Sequence, residues 1–151
     1  MSWVKAYVQY DWIASEVCNN HSVTVDTFNP DMYQDASDFL AELEKNGVQN
    51  NATWHLEAKG DKPEQRSYDA IRNTRQIREA DVVITRLMRQ SPTTRHWGSL
   101  ACISYAIALG KPCYVIAAND CVFWQRFMAH HPLVIHCSST EDMLQKISGK
   151  K

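Results

Sequence analysis

From Gly98 to Ala117 the chain reads Gly-Ser-Leu-Ala-Cys-Ile-Ser-Tyr-Ala-Ile-Ala-Leu-Gly-Lys-Pro-Cys-Tyr-Val-Ile-Ala. An uncharged, alanine-rich stretch that opens on a glycine-serine turn and ends at Gly110 predicts a short helix. The run Cys113-Tyr-Val-Ile-Ala117 that follows Lys111-Pro112 has no polar alternation. Such a run predicts a strand buried on both faces, which parallel sheets with helices on two sides provide.

The same strand type recurs at Val82-Val-Ile-Thr85 and Leu133-Val-Ile-His-Cys137. A helix is expected where Ala36, Phe39, Leu40, Ala41 and Leu43 form a stripe against Asp35, Asp38, Glu42 and Glu44, with Gly47 as its stop. Pro63 opens a second helix that carries Tyr68, Ile71 and Ile77 to about Glu79. Ser139-Thr-Glu-Asp142 resembles a capping box and starts a closing helix through Met143, Leu144 and Ile147. Strands alternating with helices predict an α/β, doubly wound, mostly parallel five-stranded sheet of flavodoxin-like or Rossmann-like type with right-handed crossovers.

Val23 to Phe28 and Ala52 to Leu56 are read as the first two parallel strands, since they flank a helix and make a unit of normal length. Residues 1–20 then form an N-terminal extension in which Val4, Ala6, Val8 and Tyr10 alternate as in a half-buried strand. The alternatives are a dimerisation edge, or Lys5 to Tyr10 as the true first parallel strand.

The 151 residues fit one domain, with a core large enough to need neither disulfides nor metal. A net charge of −1, a pI near 6.6 and a mean hydropathy of −0.42 point away from nucleic acid and membrane as partners. The N-terminus has no secretory or membrane-spanning pattern. Cys18, Cys102, Cys113, Cys121 and Cys137 are odd in number and contain no Cys-x-x-Cys pair, so a reducing, cytoplasmic setting is expected. The six histidines include only one adjacent pair, His130-His131, without metal-helix spacing, and no metal or cofactor is expected.

In doubly wound sheets the ligand sits outside the carboxyl ends of the strands, at the switch point. The expected binding residues are therefore Phe28, Asn29, His55, Arg86, Gly98, Ser99 and Asn119. Between Val82 and Asn119 there is no acid, while Arg86, Arg89, Arg95 and Lys111 are present. Free N–H groups at a helix opened by Gly98-Ser99 favour an anionic ligand by roughly 0.3–1 kcal/mol per exposed charge. Trp54, Trp97, Phe28 and Trp124 are the rings available for stacking, set against their equally ordinary use as core.

Gly98-Ser99-x-x-Cys102-x-Ser104-Tyr105-Ala106-x-Ala108-Leu109-Gly110-Lys111-Pro112 resembles the pattern Gly-Thr-x-x-Glu-x-Gly-Tyr-Ala-x-Ala-Leu-Gly-Lys-Pro of the nucleoside 2-deoxyribosyltransferase-like family. Ile71-Arg-Asn73-Thr-Arg-Gln-Ile77-Arg-Glu-Ala80-Asp81-Val-Val-Ile84 is similar to that family's Asp-x-x-x-Ile-x-x-Ala-Asp-Val-Val segment, with Asn73 at the position of its Asp. The resemblance implies a nucleoside or nucleotide ligand and a homo-oligomer. It also implies a carboxylate nucleophile for an oxocarbenium-like transition state, aided by two further acids. The corresponding positions are Cys102, Asn73 and His96, none of them acidic.

A degenerate, ligand-binding member is therefore expected. The rival is N-glycosidic cleavage or transfer using Cys102 as a thiolate or a carboxylate from Asp69, Glu57 or Asp31, with Asn73 as the third position at the site. A second rival is a signalling module that binds a protein partner.

Overall fold

The computed structural model describes residues 3–10, 14–19, 22–28, 30–54, 63–87 and 97–149. Its strands are β1 (Val4–Tyr10), β2 (Ala14–Asn19), β3 (Ser22–Phe28), β4 (Val48–Asn50), β5 (Val82–Leu87), β6 (Cys113–Ala117) and β7 (Val134–Cys137). The helices of the described residues are α1 (Pro30–Lys45), α2 (Pro63–Glu79), α3 (Trp97–Ala108) and α4 (Thr140–Ile147). Two 3-10 turns, Val122–Gln125 and Phe127–His130, lead from β6 to β7.

Five strands form one parallel sheet in the order β4-β1-β5-β6-β7. Counting only its own members in chain order, this is 2-1-3-4-5, the flavodoxin-like order, with its switch point between β1 and β5. The doubly wound α/β reading therefore holds.

The assignment of the first strands differs from expectation. Val4–Tyr10 is the inner strand between β4 and β5, while Ser22–Phe28 pairs antiparallel with Ala14–Asn19 in a separate hairpin. Alternation at Val4, Ala6, Val8 and Tyr10 suggested one solvated face. Tyr7 and Gln9 on the other face are also buried, and only Lys5 is exposed. Helices on both sides of the sheet account for this, since they bury amphipathic side chains that alternation alone would assign to water.

The second strand is Val48–Asn50, directly after the left-handed Gly47 (φ 83°). Residues 51–53 are not in a strand, and His55 and Leu56 lie outside the described residues. Because β4 ends at Asn50, side chains complete β1 on that edge. Asn50 Oδ1 accepts from the Val8 and Ala52 amides at 3.2 and 2.9 Å, and the Trp54 indole donates to the Val8 carbonyl at 3.1 Å.

One face of the sheet packs Ala6, Val8, Val82, Ile84, Tyr114 and Ile116 under α1 and α4. The other packs Tyr7, Val83, Leu87, Cys113, Val115 and Ala117 under α2, α3 and the 3-10 turns. Helix α3 ends in a Schellman cap, with Gly110 at φ 72° and the Gly110 and Lys111 amides bonded to the Ile107 and Ala106 carbonyls. That end meets the start of β6, and the Val83 amide bonds Pro112. The N-terminus of α3 therefore lies at the carboxyl ends of the strands.

Asn50→Ala leaves two part-buried amides without their acceptor. It is expected to lower unfolding free energy by about 1–3 kcal/mol, read by urea denaturation with an unchanged m-value.

Candidate functional site

The strand register arranges the α3 side of the sheet in rows. Tyr7, Val83 and Cys113 form one row, and Gln9, Thr85 and Val115 the next toward the carboxyl ends. Cys102 on α3 lies over the first row. The Tyr7 hydroxyl donates to its sulfur, and the thiol is near enough to Cys113 to affect that group's titration. One helical turn earlier comes Ser99, beside an exposed Gly98 whose missing Cβ would meet nothing within 4 Å. By helical spacing the first turn of α3 therefore lies nearer the second row, with Gly98 facing solvent.

Burial pushes the Cys102 thiol up to about 11, and the hydrogen bond from Tyr7 offsets this only in part. Tyr7 is itself raised, by burial first and then by Cys102. A neutral thiol donates weakly and is a poor nucleophile, the reverse of a helix-end thiolate. The dipole at the helix start is outweighed because Cys102 is turned into the apolar layer and not toward the open first turn.

Asn73 and Asp69 lie on α2, one turn apart. Between them Arg72 is buried at 4% exposure; it meets Asp69 at 3.3 Å, donates to Asn73 Oδ1 at 3.1 Å and stacks on the Tyr68 ring at 5.5 Å. Both Arg72 and Asp69 act electrostatically on Tyr7. The structure therefore gathers Cys102, Asn73 and Asp69 around two residues absent from the sequence reading, Tyr7 and Arg72. The available signal was an arginine among the apolar positions of α2 and a tyrosine in a strand buried on both faces.

Other expected positions separate from this group. Arg86 points to the α1 side of the sheet, where it meets Asp35 at 2.5 Å and lies 5.1 Å above the Phe39 ring. The intended ligand cation is thus held by a protein carboxylate, because strand alternation gives Thr85 and Arg86 opposite faces. Phe28 ends the hairpin strand β3 and no parallel strand. Asn29, His55, Glu57, Arg89, Arg95 and His96 lie outside the described residues. Asp31 is exposed in the first turn of α1.

Lys111 sits at the opposite end of the sheet, where its ammonium bonds the Arg78 and Ala80 carbonyls at the end of α2. Helix C-termini attract cations in this way, so Lys111 does not belong to an anion site. Asp81 is similarly structural. Its carboxylate accepts from the Lys5 amide at 2.9 Å, and its own amide donates to the Lys5 carbonyl at 2.7 Å.

Asn119 is exposed beyond β6, near Trp124. Trp124 donates to the Ala118 carbonyl and packs on Phe123 and His136. Trp54 packs on Tyr10 with ring centroids 5.0 Å apart. Among the described residues no group of three or more His, Cys, Asp or Glu is placed to hold a metal, and no helix is long and apolar enough to cross a membrane.

The fold and site define a doubly wound α/β domain with a candidate ligand site at the switch point. Among solved structures the chain is similar to the Clostridium botulinum CMP N-glycosidase BcmB, with 15% identity and a TM-score of 0.48 over 95% of this chain and 98% of that one. No family model and no curated protein matches the chain.

The raised Cys102, Cys113 and Cys137 thiols bind their protons more tightly in the folded than in the unfolded state. Their contribution to stability is intact below the ordinary thiol value of 9.0 and falls as pH rises toward about 11. Denaturation curves across this window are expected to show the loss. A thiol reagent at neutral pH should label Cys102 in the native protein far more slowly than in urea.

Proposed function

We propose that this chain binds a nucleoside or nucleotide at the carboxyl ends of β1 and β5 without turning it over. On this reading it is a diverged member of the nucleoside 2-deoxyribosyltransferase-like family that senses or sequesters its ligand. The observation that carries the proposal is the state of Cys102. Where the resemblance calls for a nucleophilic carboxylate, the chain has a half-buried thiol held neutral and bonded to Tyr7. Asp69, the acid nearest in sequence to Asn73 on the same helix face, is ion-paired to Arg72. Neither group supplies the free negative charge that an oxocarbenium-like transition state requires.

The first turn of α3, whose N–H groups have no acceptor within the helix itself, supports a ligand that carries a phosphate. Melting curves with nucleoside 5′-monophosphates at millimolar concentration are expected to rise by several degrees. Chromatography of the same mixtures should show no free base. Base release abolished by Cys102→Ala or Asp69→Asn would overturn the binding-only reading and favour N-glycosidic cleavage.

The homo-oligomer belongs to the same proposal. Helix α3 has no charged residue between Trp97 and Ala108 and leaves Ala101, Ala108 and the following Leu109 exposed. The adjoining α2 exposes Ile71 at 65% and Tyr68 at 54%. A helix uncharged on every face is ordinarily covered, and a second copy meeting α2 and α3 supplies that cover. Light scattering should give a dimer mass, and Ile71→Asp should shift it to that of a monomer.

A further inference from the structure

The row beneath the first turn of α3 contains an unexplained pair of side chains. Gln9 is 5% exposed and Thr85 is fully buried, and they are direct partners across the β1–β5 pairing. Among the described residues Gln9 Nε2 and Thr85 Oγ1 have no hydrogen-bond partner, as is also true of Asn51 Oδ1 and Arg126 Nε elsewhere. Buried polar atoms in native proteins are almost always paired, and each one left unpaired costs about 1–3 kcal/mol. Valine would fill the volume of Thr85 and methionine that of Gln9 without this cost. The neighbours on the same side of the sheet, Val83, Leu87, Val115 and Ala117, are apolar.

The position of the pair distinguishes it from an accident of packing. Gln9 and Thr85 lie in the carboxyl halves of the two strands that define the switch point, where ligands approach a doubly wound sheet. By strand alternation both point to the α3 side, as Tyr7 does in reaching Cys102. The turn that contains Gly98 and Ser99 begins α3 at the same end of the sheet, and Gly98 is exposed. The unpaired groups are an amide donor and a hydroxyl, both uncharged.

We infer that Gln9 and Thr85 form the recognition floor of the site and hydrogen-bond an uncharged oxygen of the ligand, a sugar hydroxyl or a base carbonyl. This inference rests on the nucleotide-site reading above and assigns that site its neutral half. The amide of Gln9 donates to the ligand oxygen, and the hydroxyl of Thr85 donates to a carbonyl or accepts from a sugar hydroxyl. Neither residue favours an anion, so the phosphate belongs at the helix turn and the sugar or base at the floor.

Calorimetry with ribo- and 2′-deoxyribonucleoside 5′-monophosphates of uracil and adenine tests this in the wild type, Gln9→Met, Thr85→Val and the double variant. Each single variant is expected to weaken binding at least tenfold. A sugar hydroxyl at the floor predicts a ribo-over-deoxy preference that the variants lose. A base carbonyl predicts a uracil-over-adenine preference lost in the same way. The unliganded variants should melt at or above the wild-type temperature, because an apolar isostere removes an unpaired buried group.

Wild-type affinity and selectivity in the double variant would overturn the inference while leaving the nucleotide site standing. A marked fall in the unliganded melting temperature would also overturn it, by showing that the pair serves the fold. Absence of binding by the wild type to any of the four nucleotides would overturn the site reading and this inference together.

Discussion

The pairing of Val4–Tyr10 with Val82–Leu87 sets the geometry of everything else in the molecule. It is held in register at its lower end by Asp81, whose carboxylate and amide both engage the backbone of Lys5. A slip of one residue would send Tyr7 and Gln9 to the α1 side and Val8 to the α3 side, since side chains alternate strictly. Cys102 would then lose its tyrosine, and Thr85 would lose Gln9 as its neighbour under α3. The same register sends Thr85 toward α3 and Arg86 toward Asp35, so a single pairing decides which residues share the site.

Legibility in the sequence followed the physical strength of each signal. Val82–Leu87, Cys113–Ala117 and Val134–Cys137 are apolar runs with distinct stops, and Gly47 and Gly110 adopt the left-handed cap their positions suggested. The first strand was obscured because Lys5, Tyr7 and Gln9 gave it the alternation of a half-solvated strand. Only the helices on both faces reveal that Tyr7 and Gln9 are interior. Val23–Phe28 was attractive because it precedes a helix, but a hairpin partner in Ala14–Asn19 satisfies it locally. A period-two pattern does not say which strand a segment will pair with.

The candidate site was legible in location more than in membership. Gly98, Ser99, Cys102, Asn73 and Asp69 could be placed because a helix start and helical spacing are local properties. The ion pair of Arg86 was not legible because its partner Asp35 is distant in sequence, and pairs of that kind leave no periodic trace. Lys111 was misread for a related reason. Its charge suggested an anion site, whereas the end of α2 comes near enough for its carbonyls to use that charge.

The chemistry that remains is consistent with a site built for holding a ligand. Tyr7 bonding a neutral Cys102 and Arg72 spanning Asp69 and Asn73 form a satisfied network, in which charge is compensated within the protein. Catalysis through a sugar cation would require the reverse, a carboxylate left unpaired to meet positive charge as it develops. Two of the unsatisfied buried groups, Gln9 Nε2 and Thr85 Oγ1, lie one row away, and both are neutral. A buried neutral donor can discriminate between ligands without stabilising a charged transition state, because a ligand lacking the matching oxygen leaves that donor unpaired. The row over which Cys102 lies is compensated within the protein, while the next row toward the strand ends buries two uncharged polar groups, Gln9 and Thr85, beside the apolar Val115.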